Sequence, residues 1–80
     1  VPPKQKTRFI LLEQHLDSFP TVNFVFVHRF KAVEELDRLE SVYRQMDVDE
    51  IERSELTLEV HLADGDEISF NIEPYTSDRY

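Results

Sequence analysis

The sequence predicts a small α+β domain in the order helix, strand, helix, strand, strand, with a three-stranded, mostly antiparallel sheet. Three observations lead there. An apolar stripe at helical spacing covers 32–46, two alternating runs cover 56–62 and 66–73 with the chain's only glycine between them, and a Val- and Phe-rich segment at 21–30 has no helical period. A chain of 80 residues hides only about 60% of its extended surface on folding, so one small core is all it can build.

Val1 to Lys6, with two prolines and two lysines, reads as a tail or linker, and 75–80 as a C-terminal tail, leaving a single domain over 7–74. From Thr7 the positions Phe9, Leu12, Leu16 and Phe19 recur at steps of three and four, which predicts a short amphipathic helix closed by Pro20. A strand through Phe9 to Leu12 is the rival, since so short an apolar run fits either period.

Thr21 to Phe30 reads as a strand with apolar residues on both sides. Phe24, Phe26, His28 and Phe30 fall on one face, Val25 and Val27 on the other. Ala32, Leu36, Leu39, Tyr43 and Met46 form the stripe of the helix at 32–46, supported by the i,i+4 pairs Glu34/Arg38 and Glu40/Arg44, with Glu34 and Glu35 in its first turn. Asp47 to Glu50 resembles a capping box opening one extra turn to Arg53.

Parity sets the register of the C-terminal hairpin, 56–62 against 66–73, which packs beneath the 32–46 helix. A two-residue Asp64-Gly65 loop would set Leu62 opposite Glu67, dry against wet along the whole hairpin. A three-residue loop, Ala63-Asp64-Gly65, instead puts the glycine at a left-handed position and pairs Val60 with Ile68, Leu58 with Phe70, Leu56 with Ile72 and His61 with Glu67. With the helix crossing over as in half of a split βαβ unit, the last strand lies between the other two. The two-sided strand 21–30 then falls at an edge, where it needs cover from helices or from a second copy of the chain.

Charge and composition exclude several functions. The formal charge of -8 divides into +3 over residues 1–31 and -11 over 32–80. A field of that sign repels phosphate backbones and anionic lipid, so no direct nucleic-acid or membrane partner is expected, and a basic protein partner is favoured. Without cysteine there is no disulfide framework or thiolate metal site, which points to an intracellular compartment, cytoplasmic or nuclear. The start at Val1, with no initiator Met or signal segment, is read as that of a fragment of a larger protein.

Motifs for chemistry are lacking. One glycine cannot make a phosphate cradle, and none of the serines stands in a G-x-S-x-G elbow. Asp47-x-Asp49 opens like a calcium loop, but Ile51, Glu52 and Leu58 occupy positions that need an acid, a glycine and a bidentate Glu. His61, Asp64 and Asp66 gather at the hairpin turn, where solvated acids and a His61/Glu67 pair account for them. His15 and His28 are isolated. No catalytic, cofactor or metal residue is assigned. The aromatic and basic residues of Phe24 to Lys31 could stack bases, but the glycines of a sheet-surface RNA binder are missing, so this reads as a core strand.

The sequence therefore predicts a non-catalytic protein-interaction or assembly module that self-associates as a homodimer through 21–30. The residues expected to meet a partner are Phe24, Phe26 and Phe30 together with Glu50, Glu52, Glu55, Glu59, Asp64 and Asp66. The alternative is a small acidic inhibitor that imitates nucleic acid and occupies a nucleic-acid-binding protein.

Overall fold

The structure, a computed structural model, describes residues 6–77. Its elements are β1 (Lys6–His15), β2 (Thr21–Phe26), α1 (Arg29–Arg44), β3 (Val48–Arg53), β4 (Thr57–Leu62) and β5 (Glu67–Ser77). The strands form one antiparallel sheet of order β2-β1-β5-β4-β3, and α1 packs across one face. The expected mixture of helix and sheet is present, but a sheet of three strands with two helices is not: the described residues form five strands and one helix.

The first correction concerns residues 7–19, which form the interior strand β1 and a turn rather than a helix. β1 lies between β2 and β5, pairing Leu11 with both Phe24 and Ile72. A strand inside the sheet can be apolar on both sides, so Phe9 and Leu11 face the helix while Ile10 and Leu12 face away. Leu16 and Phe19, the last members of the supposed helical stripe, are exposed in the β1–β2 connection. There Ser18 closes the turn by donating its N–H and its hydroxyl to the His15 carbonyl, at 3.1 and 2.9 Å. Asp17 takes a left-handed φ of 64°, a conformation Asp tolerates better than most residues.

The second correction is at 47–53. The expected helical turn is the edge strand β3, whose Ile51 and Arg53 lie opposite Val60 and Leu58 on the helix side. A register shift between Val48 and Glu50 marks a bulge, which lets Val48 and Ile51 share a face at a spacing of three. The third correction concerns the boundary between β2 and α1. The strand ends at Phe26, and the helix begins three residues earlier than expected, so its first turn contains no acid. Phe30 belongs to that turn rather than to the strand.

The stripe Ala32, Leu36, Leu39 and Tyr43 faces the sheet as expected, while Met46 falls beyond the helix and is exposed. Glu40 and Arg44 pair at 2.7 Å; Arg38 meets Glu35 rather than Glu34, and Glu34 reaches Lys31 at 3.4 Å. The hairpin register is as expected, with Val60 opposite Ile68, Leu58 opposite Phe70 and His61 opposite Glu67, and the Ile72 N–H donates to the Leu56 carbonyl. Gly65 has φ +93, its N–H donates to the Leu62 carbonyl at 3.0 Å, and the Leu62 N–H donates to Asp66 at 2.9 Å. Only a residue without Cβ takes that conformation freely. β5 is central to the sheet as expected, although β1 stands between it and β2.

Leu11, Ala32, Leu36, Leu58, Val60, Ile68, Phe70 and Ile72 form the buried core between α1 and the sheet. Of the expected tails, 1–5 and 78–80 lie outside the described residues; Lys6 opens β1, and β5 runs through Tyr75 to Ser77.

One ion-pair network ties α1 to β3. The Arg53 guanidinium donates to Asp37 at 2.7 Å and to Glu40 at 2.9 Å. Hydrogen bonds from Arg44 and then Arg53 hold the Glu40 carboxyl below its ordinary value of 4.5. Burial alone would lower the Arg53 pKa, but the bonds to Asp37 and Glu40 outweigh it and raise it. A depressed folded-state pKa stabilises the fold above the unfolded value, and that contribution is lost as pH falls through the folded value. Arg53→Met should therefore cost about 1–3 kcal/mol near neutrality and leave a shallower decline of stability on acidification below the ordinary glutamate value. Urea titrations at a series of pH values measure both, and an unchanged acid limb would count against the network.

Candidate functional site

The two ends of the sheet differ in kind. β3 carries Asp49, Glu50 and Glu52 along its edge, the charged guard that discourages another strand from pairing. β2 has no such guard. From Ser18 to His28 there is no acid, lysine or arginine, and among the described residues β2 pairs only with β1.

β2 is also apolar toward both faces of the sheet. Phe24 and Phe26 share the helix face with Phe9 and Leu11, yet α1 leaves Phe24 58% exposed and Phe26 half-buried. Their rings lie 4.7 Å apart. On the opposite, open face Val22 is 58% and Val25 50% exposed, next to the half-buried Ile10 and Leu12 of β1. Asn23 sits at the β1–β2 register shift and donates to the Glu13 carboxylate at 3.0 Å. Phe30, 58% exposed, stacks on His28 at the start of α1, where Lys31 lies 5.5 Å from its ring.

The acids expected to form one partner surface divide into three groups. Glu50, Glu52 and Glu59 share the open face of β3 and β4, with Glu52 directly opposite Glu59 and Glu50 opposite His61. Glu55 lies in the β3–β4 connection, ion-paired to Arg29 at 2.6 Å. Asp64 and Asp66 are occupied within the hairpin turn, accepting from the Asp66 and Glu67 N–H groups at 3.0 and 2.9 Å. Val22 and Val25 were absent from the expected partner surface. Alternation with Phe24 and Phe26 along the strand is the signal that finds Val25, whereas Val22, of the same sequence parity as the phenylalanines, reaches the open face only through the register shift at Asn23.

Glu52 and Glu59 have no ion-pair partner among the described residues. Glu52→Lys should replace a cross-strand repulsion with an attraction and raise stability by a few tenths of a kcal/mol to about 1. Urea denaturation would read this, and a loss of stability would contradict the pairing.

The open face also groups donor atoms of Glu52, Glu59 and His61 within 4.8 Å of one another. His61 Nδ1 is 3.0 Å from Glu67, which leaves Nε2 as the nitrogen free to face an ion. Metal bonds of about 2.0–2.2 Å would have to draw the two exposed carboxylates and the half-buried imidazole closer together. A shallow concavity of about 200 Å³ beside the β1–β2 turn, lined by Gln14, His15, Leu16, Asp17, Glu67 and Ser69, is smaller than the roughly 300–1,000 Å³ of small-molecule sites. Among the described residues no helix is long and apolar enough to cross a membrane.

No protein-family model, curated protein or solved structure matches this chain.

Proposed function

We propose that this chain is a non-catalytic protein-interaction module that receives an extended polypeptide segment along the edge of β2. The observation that carries this reading is the contrast between the two sheet edges, one lined with acids and the other uncharged and apolar on both faces. A strand added at β2 satisfies the edge backbone groups and covers Phe24 on one side and Val22 and Val25 on the other. Covering that much exposed aromatic and aliphatic surface is favourable by the ordinary hydrophobic effect.

The test is photo-crosslinking in the intact protein with a benzophenone side chain placed at Val25 and, separately, at Glu52. Position 25 is expected to join one defined peptide, identified by mass spectrometry, and position 52 none. Equal or absent labelling at the two positions overturns the reading.

A second reading rests on Glu50, Glu52 and Glu59, three carboxylates on one sheet face without ion-pair partners among the described residues. Such a patch suits a basic protein surface and would let the chain imitate a nucleic-acid backbone. Competition with duplex DNA for a basic DNA-binding domain tests it. The triple change Glu50→Lys, Glu52→Lys and Glu59→Lys should abolish competition, and unaltered competition removes the reading.

A further inference from the structure

We infer that the segment seated on β2 is the β2 of a second copy of this chain, antiparallel to the first about a two-fold axis normal to the sheet. This rests on the docking reading above and names its occupant.

Three features select a second copy. An occupant must be apolar toward both faces, since it has to meet Phe24 and Phe26 on the helix side and Val22 and Val25 on the open side. β2 has that pattern itself, whereas β3 would set Glu50 and Glu52 beside the valines. Two copies each carrying -8 can approach only where acids are missing, and 18–28 is such a stretch. The ends of β2 are also compatible. Asp17 precedes it, and Arg29 and Lys31, paired within the chain to Glu55 at 2.6 Å and Glu34 at 3.4 Å, follow it, so antiparallel pairing sets the acidic end of each copy beside cations of the other and not beside an unopposed acid.

The same geometry limits the assembly to two. A two-fold pairing uses both β2 edges and leaves a ten-stranded sheet bounded at each end by an acid-lined β3. Both helices lie on one side of that sheet, and Phe24 and Phe26 of the two copies fill the space between them. A head-to-tail contact of β2 with β3 would instead propagate without closure.

Sedimentation equilibrium of the whole chain tests this across loading concentrations of about 1 to 300 µM, the range where modest affinities show. The wild type should approach twice the monomer mass and no more. Val22→Lys with Val25→Lys should weaken association at least about 100-fold, because four ammonium groups would enter the pairing. Both valines are half exposed, so circular dichroism and the urea midpoint of the variant should match those of the wild type at dilutions where both are monomeric, and Val42→Lys on exposed α1 surface should leave the dimer intact. A wild type that stays monomeric throughout, a double variant that still dimerises, or mass growing beyond two copies overturns the inference. If the wild type is monomeric but crosslinking from Val25 joins a different protein, the second copy is refuted and the docking reading stands; if both fail, so does the docking reading.

Discussion

Phe70→Ala should cost about 3–5 kcal/mol, the range for truncating a buried phenylalanine, and this is the largest single-residue loss expected in the chain. Phe70 is 2% exposed at the middle of the sheet, opposite Leu58 on β4 and Glu13 on β1, and its ring lies 6.0 Å from that of Tyr43 on α1. It therefore touches both strand neighbours and the helix. Deleting it opens a cavity that no single element can close. At roughly 0.05–0.15 kcal/mol per residue the whole fold is worth only about 4–12 kcal/mol, so the substitution removes about a quarter of it or more. Urea denaturation followed by far-ultraviolet circular dichroism measures this, and a loss below about 1 kcal/mol would show that the core is not closed around this ring.

Leu11→Ala is expected to cost about 2–5 kcal/mol, while Leu16→Ser and Phe19→Ser should each stay within about 0.5. Leu11 is 1% exposed between Phe24 and Ile72, whereas Leu16 is 50% and Phe19 90% exposed. An amphipathic helix over 7–19 would produce the opposite order, because Leu16 and Phe19 lie on its apolar stripe and Leu11 does not. Comparing the three urea midpoints thus separates a central strand from a helix directly.

The difficulty at β1 has a physical origin. Alternation betrays a strand only when one of its faces is wet, as in Leu58/Glu59/Val60/His61, where parity and one left-handed glycine sufficed to place every cross-strand pair. A strand in the middle of a sheet with apolar residues on both sides loses that signal, and Phe9 to Leu12 then fits either period. At β3 the bulge between Val48 and Glu50 breaks the alternation, so two inward residues three apart imitate a helical turn. α1 is different: Ala32, Leu36, Leu39 and Tyr43 keep one unbroken stripe.

The candidate surface was legible to a similar degree. The edge position of 21–30 followed from its Val and Phe residues on both faces and the expected strand order; the structure keeps Thr21–Phe26 as the edge strand and leaves Val22, Phe24 and Val25 exposed. Glu50, Glu52 and Glu59 were expected together on one acidic surface, but the reason they share a face was not legible, because it depends on β3 being a strand. Glu55, Asp64 and Asp66 share no face with them; their partners are Arg29 and the hairpin backbone.

Hydrogen exchange measured amide by amide, at several protein concentrations, examines the β2 edge most directly. Outward-facing amides of Thr21–Phe26 should exchange more slowly as concentration rises, because a second β2 accepts from them, while those along the outer edge of β3 stay fast at every concentration. Concentration-independent exchange along β2, or protection gained at β3 instead, would contradict pairing at this edge.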